Sequence, residues 1–438
     1  MGVVTMNGDI PWRAVHSLSP DCHRELRRRA IFECCKWDPQ VEDVDTLAPV
    51  AVVLQQSAWH DLAALAEALA EETVMLEEAL ARRPDLHRDL ALSLPIRNAL
   101  AQALKDRHAR NGEESCPSVR VMRFDFHPTA NGWRVSEVNS DVPGGYNEAA
   151  GWSALVAEHV PEGTLAADPA RLLVQRIRDR LPPGGTVAMV HATAYTDDRQ
   201  VMIYLARGLQ REGYHAVLVG PDHIRWQEGR AFIQTDWWTG PADFVFRFYP
   251  AEWLPNLGRG VEWRHFFGAT RTPLCNRATA LLTQSKRWPL VMDDLGIKAP
   301  TWQRLLPETR DPRDVDPGLD SDWVLKPALG RVGELVGIAG VTAARDWRAI
   351  RRGVRWGARH WVAQKRFIPL SVRVDGQPWH ICLGVYVIDG QAAGIYGRVA
   401  ARPLIDHAAR DAAVLVERSS HVVDASAKSK SHESVGTI

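Results

Sequence analysis

The stretch from Arg123 to Asn139 leaves the chain few ways to fold. Arg123-Phe124-Asp125-Phe126-His127 and Trp133-Arg134-Val135-Ser136-Glu137-Val138-Asn139 each alternate polar with apolar residues, as strands with one buried face do, and Asn131-Gly132 marks a tight reversal between them. A loop of Asn131 and Gly132 alone sets Asp125 opposite Val138 and sends the two acids to opposite faces. A three-residue loop of Ala130, Asn131 and Gly132, with Gly132 left-handed, instead pairs Asp125 with Glu137 and Arg123 with Asn139 on one face. Packing selects this second register, because it gathers Phe124, Phe126, Ser136 and Val138 on the other face, where they can enter a core. Two opposed carboxylates repel by up to roughly 1 kcal/mol in an exposed pair, so a cation is expected between them. Asp125, Glu137 and Asn139 offer hard oxygen donors suited to Mg²⁺, which completes its octahedron with waters and substrate phosphates. Arg123 beside them is placed to neutralise charge on a transferring phosphoryl group. Taken alone, the hairpin equally fits a salt-bridged surface element in which Arg123 pairs with the acids.

The 438 residues, 45% apolar and 24% charged, suffice for two or three domains with a sizeable core. Basic and acidic residues balance at 53 each, so no overall field draws the chain to nucleic acid or an anionic membrane, although a local basic groove is compatible with that balance. No spanning apolar run and no secretory leader are seen, and six scattered cysteines without C-x-x-C spacing fit free thiols in a reducing cytoplasm. The leucines 62, 65, 69, 76 and 80 predict an amphipathic helix from Ser57 to about Arg83, within a mainly helical first 115 residues. Val187–Val190, a helix from Asp197 to Gly213 and Ala216–Val219 read as one βαβ unit. It lacks the G-x-G-x-x-G turn of a dinucleotide-binding domain, and His191 reads as a turn residue. From Thr272 onward short helices alternate with strands in an antiparallel α+β pattern. The expected class is therefore α+β with an inserted α/β unit.

The strand Trp323-Val324-Leu325 ends in Lys326, and Gly330-Arg331-Val332-Gly333 follows. A lysine closing an apolar strand needs an anionic partner or a route to solvent, and backbone N–H groups of a glycine-rich loop can approach phosphates closely. A nucleotide phosphate satisfies both, although the loop does not match the Walker pattern and by itself also fits an ordinary turn. Lys286, near the start of a predicted helix, can reach the same phosphates. Gln364 begins the segment Gln364–Pro369, which leaves a strand as the hinge of a nucleotide pocket does. Arg398 ends a further strand and is a second candidate phosphate clamp.

The runs R-F-D-F-H, E-V-N-S-D-V-P and E-A-A (Glu148 to Ala150), then Q-S-K, V-L-K-P-A-L-G-R-V-G, Q-K-R-F-I-P-L and V-I-D-G-Q-A-A-G-I-Y-G-R, resemble the glutathionylspermidine synthase family in content and order over about residues 30 to 417. The resemblance implies a circularly permuted ATP-grasp using ATP and Mg²⁺. In it Asp125, Glu137 and Asn139 hold the metal, Arg123 stabilises the transferring phosphoryl group, and Lys286, Lys326 and Arg398 contact phosphates, with Gly330 and Gly333 in a flap over the nucleotide. The expected division is 1–180 (helical region and metal hairpin), 181–275 (βαβ unit), 276–417 (nucleotide-binding part) and a 418–438 tail whose six serines, two lysines and few core-forming residues predict disorder. Val332 departs from the G-R-E-G pattern, and only the synthetase half is recognisable, so glutathione and spermidine are not carried over. The expected activity is that of an ADP-forming carboxylate–amine ligase on a small-molecule or peptide carboxylate and an amine, without nucleic-acid or membrane partners. A kinase-like phosphotransferase and a degenerate binding protein are the alternatives.

Overall fold

The computed structural model describes residues 3–4, 10–38, 40–41, 44–109, 118–316, 322–331 and 333–418. A ten-stranded sheet organises them. Its strands run in the order Trp12–Ser17, Leu47–Leu54, Arg410–Glu417, Gln391–Ala400, Gln377–Ile388, Val121–Thr129 and, at the edge, Gly132–Asn139. Both ends of the chain thus share one sheet, antiparallel except where Arg410–Glu417 runs parallel to Leu47–Leu54. The first 115 residues are less helical than expected: Leu47–Leu54 is buried along its length beside a parallel neighbour, so its sequence reads as an unbroken apolar run with no alternation to betray a strand.

The helix Gln56–Ala81 turns Leu62, Leu69, Leu76 and Leu80 into the core shared with Phe124, Phe126, Val135 and Val138 of the hairpin. Its Glu72 carboxylate accepts the backbone N–H groups of Thr301 (2.8 Å) and Trp302 (2.9 Å), which capture the first turn of Pro300–Leu305 and set Trp302 against Phe124. Thr186–Val190, His215–Val219 and Phe244–Arg247 form a parallel sheet with Leu274–Cys275, crossed by the helix Thr196–Arg211, which is the inserted α/β unit. A separate antiparallel sheet joins Trp323–Pro327, Gly337–Ile338 and Trp361–Lys365, backed by the helix Ala344–Gly357. The fold is mixed α/β. No helix among the described residues is long and apolar enough to cross a membrane. Val332 and the tail beyond Arg418 lie outside the described residues.

The hairpin reaches the expected pairing by a different device. Thr129 pairs with Gly132, so the loop holds only Ala130 and Asn131, and Gly132 is left-handed at φ +86°. A register shift then inserts Ser136 as a β-bulge, after which Asp125 faces Glu137 and Arg123 faces Asn139. The bulge lets Val135 and Val138, three residues apart, enter the same core, and it removes Ser136 from the apolar face where the sequence reading had put it.

Candidate active site

The hairpin closes one end of the large sheet, with Val121–Thr129 paired to Gln377–Ile388 and Gly132–Asn139 at the edge. Arg123 grips Asp125 through two bonds, Nε to Oδ1 at 2.8 Å and Nη2 to Oδ2 at 3.1 Å, and donates a third to the Gly144 carbonyl at 2.7 Å. The Asn139 side-chain NH₂ donates to Asp125 Oδ2 at 3.0 Å, leaving the amide oxygen as the end able to ligate a cation. The Arg123–Asp125 ion pair of the salt-bridged alternative is therefore present, but in the interior: both residues are 9% exposed.

Gly384 makes that placement possible. It pairs with Asp125 on the neighbouring strand, and a Cβ there would stand 2.7 Å from Arg123 Cδ, 2.8 Å from Nε and 3.1 Å from Asp125 Oδ1. On the far side the Tyr396 ring supports the guanidinium at 4.9 Å. Gly384→Ala is expected to push Arg123 off Asp125 and lower turnover by at least about tenfold, since misplacement by an ångström can cost 10²-fold. An unchanged rate in a folded variant would remove Gly384 from this role.

Glu137 faces a second group of cations. Lys286 reaches Glu137 Oε2 at 2.9 Å and donates to the Gly330 carbonyl at 2.7 Å, tying the hairpin to the glycine-rich loop. Lys286 stands in the turn between the short helix Leu281–Gln284 and the helical turns that begin at Trp288. Lys326 donates to Gln364 Oε1 at 2.7 Å and to the Ser136 carbonyl at 3.3 Å, a carbonyl that the bulge aims at it. Glu137, Lys286 and Gln364 line a narrow cavity of ≈ 20 Å³ with Gln284, Trp288 and Trp302. Burial opposes the charge on Glu137, but Lys286 and Lys326 outweigh it and hold the carboxyl down at about 2. Burial lowers the Lys326 ammonium to about 8, with Glu137 supporting the charge and Lys286 opposing it.

Arg398 lies on the other side of Arg123, donating to the Asp406 carbonyl at 2.6 Å. Gly333, left-handed at φ +69°, presses on the same segment: a Cβ there would meet the Ile405 carbonyl oxygen at 2.5 Å. Gly330 and Gly333 thus touch the Lys286 and Arg398 sides respectively.

Several participants were not anticipated. Asp141, with no exposed side-chain surface, accepts from the buried Arg247, from Arg331 of the loop at 2.9 Å and from the Ala251 N–H at 2.9 Å; Arg331 also pairs with Glu252 at 2.7 Å. Lys36 sits among Glu148, Asp411 (3.1 Å) and Asp38 (3.2 Å), and the Tyr396 hydroxyl donates to Asp411. Gly384 had a visible signal, a lone glycine inside Ile381–Ile388, which marks close approach by a neighbour.

No three His, Cys, Asp or Glu side chains converge in a metal-binding group among the described residues. Two carboxylates and an amide oxygen fit Mg²⁺ that brings its remaining ligands as water and phosphate. The same face carries Arg123, Lys286 and Lys326, so it is net positive by one and favours a polyanion with its metal over the bare ion.

Residues 49–417 match the family model described as glutathionylspermidine synthase preATP-grasp. No curated protein matches the chain. A glutathione synthetase-like effector from Globodera pallida shares the fold, with a TM-score of 0.57 at 10% identity over 92% of this chain and 100% of its own. A structure described as a γ-glutamylcysteine synthetase from Methylobacillus flagellatus aligns with TM-score 0.41 at 12% identity, covering 74% of this chain and 82% of its own.

Proposed function

The chain belongs to the glutathionylspermidine synthase preATP-grasp family, and from that premise we propose that it is an ATP-dependent carboxylate–amine ligase forming an amide bond through an acylphosphate. What carries the reading is the convergence of Arg123, Asp125, Glu137, Asn139, Lys286, Lys326 and Gln364 on one net-positive, largely buried face. A carboxylate is a poor electrophile, and phosphorylation gives it a leaving group that an amine can displace. Phosphoryl transfer asks the protein for positioning and charge stabilisation, with no covalent nucleophile.

Lys286 and Lys326 would exchange Glu137, Gly330 and Gln364 for nucleotide phosphates, and Gln364 and the residues after it would border the base. Arg123, fixed by Asp125 and Gly144, would stabilise charge on the phosphoryl group in flight, with Arg398 as a second clamp. Asp125, Glu137 and the Asn139 amide oxygen would hold Mg²⁺, which screens phosphate oxygens when bound. Gly330 and Gly333 would close over the nucleotide.

The test is ADP release across pairs of small peptides, amino acids and other amines. ADP and phosphate appearing only when carboxylate and amine are both present supports ligation. A stable phosphorylated product would replace it with a kinase-like activity, and failure of MgATP to raise the melting temperature would count against both. Ligand at about 100 times its dissociation constant should stabilise by about 2.7 kcal/mol.

ATP affinity should also report on Lys326. Phosphate raises the pKa of an ammonium it contacts, so binding is expected to be flat below pH of about 8, where free Lys326 is charged, and to fall by up to about tenfold per pH unit above it. Calorimetric titration of ATP across that range checks this, and Lys326→Met should erase the break.

A further inference from the structure

The balance of 53 basic and 53 acidic residues conceals one strongly polarised element. The helix Ala344–Gly357 packs Ile350 and Val354 inward, with Trp347 partly buried beside them. Directly opposite, Arg345, Arg348, Arg352 and Arg355 recur at three- and four-residue steps, and Arg359 continues the row just past the helix end. At a rise of ~1.5 Å per residue the row is about 21 Å long. Arg351 flanks it, and from Ala344 to His360 six arginines face one acid, Asp346. All six are exposed.

Many surface arginines elsewhere are paired, Arg24 with Asp21, Arg28 with Glu25, Arg82 with Glu78, Arg178 with Asp179 and Arg310 with Glu308, and exposed ones without a carboxylate partner, such as Arg171, Arg230, Arg259 and Arg373, stand singly along the chain and not in a helical row. Arg345, Arg348, Arg351, Arg352 and Arg355 have no carboxylate partner among the described residues. Beside the row Trp356 is 82% exposed, its indole lying on the surface of a helix whose apolar side is already buried.

We propose that this arginine row and Trp356 form a docking surface for single-stranded nucleic acid, the guanidinium groups following successive phosphates and the indole stacking on a base. A line of cations spaced ~5 Å apart along a helix suits a strand with regularly spaced charges. An exposed aromatic at its border offers the π-face that binds bases without regard to sequence. A membrane requires a broader face with apolar groups to insert, and this helix's apolar groups lie inside its own lobe. An acidic peptide leaves the indole without a stacking partner. The surface backs the sheet that carries Lys326 and is independent of the ligase reading.

The test uses the full chain and a fluorescently labelled single-stranded oligonucleotide of mixed sequence, with anisotropy recorded over a range of salt. Five phosphate contacts predict a slope of log K against log salt of about −3.5. Arg348→Glu, Arg352→Glu and Arg355→Glu together should flatten it by about two. Trp356→Ala should weaken binding by about 5- to 150-fold at every salt concentration and leave the slope unchanged. Unaltered melting temperatures and ADP-release rates show that each variant is folded. No binding by wild type at low salt, binding insensitive to the triple variant, Trp356→Ala binding like wild type, or equal binding of polyglutamate or phosphatidylserine vesicles would each overturn the proposal.

Discussion

Glu137→Gln is expected to reduce turnover by about 10²–10⁴-fold while leaving the protein folded and able to bind ATP. Removing one preorganised group that stabilises transition-state charge typically costs 10²–10³, and here the lost group is also a proposed metal donor. The substitution is nearly isosteric, so cavity shape persists. Its electrical effect is larger: the face holding Arg123, Asp125, Glu137, Lys286 and Lys326 goes from one excess positive charge to two. ATP without metal should therefore bind at least as well as to wild type, whereas the gain from adding Mg²⁺ should shrink. Calorimetric ATP titrations with and without Mg²⁺, alongside ADP release, separate the two effects. Wild-type turnover would remove Glu137 from the site. The variant also predicts a pH signature. Glu137 is held at about 2 against an ordinary 4.5, so its contribution to stability is fully present above 4.5 and lost as pH falls toward 2. The Gln variant should lack that part of the acid destabilisation.

The hairpin was legible because two-residue alternation and a turn glycine are local signals. The bulge that sets its register was written more faintly, in the three-residue spacing of Val135 and Val138, which a regular strand cannot place on one face. Lys326 announced itself as a charge ending an apolar strand, and the structure gives it Gln364 as neighbour, 38 residues along. The supports of Arg123 come from much farther away. Tyr396 and Gly384 belong to strands more than two hundred residues downstream, and the Lys36 pairs with Glu148 and Asp411 span 112 and 375 residues. No periodicity in one sequence connects such positions, because the contacts exist only once both chain ends enter one sheet. The strand Leu47–Leu54 was missed for a related reason: burial on both faces removes the alternation that identifies strands.

Asp141→Ala is expected to be the most destabilising single change near the site, by about 3–5 kcal/mol, the usual cost of stripping one partner from a buried ion pair. Asp141 is 0% exposed, as is the side chain of Arg247 bound to it, and Arg247 also donates to the carbonyls of Asn276 and Tyr249. The arginine cannot swing to water or lose its proton, so the alanine variant leaves a desolvated charge without its counter-ion. Arg331 loses one of its two acids but keeps Glu252, so the glycine-rich loop should loosen without detaching. The double variant Asp141→Leu with Arg247→Met removes both buried charges and should recover most of the lost stability. It leaves the Arg331–Asp141 link broken. Stability restored with turnover still depressed would assign that link a role in holding the loop; full recovery of both would make the cluster purely structural. Thermal melts and ADP release on the same three proteins decide between them, and an alanine variant melting with wild type would refute the predicted cost.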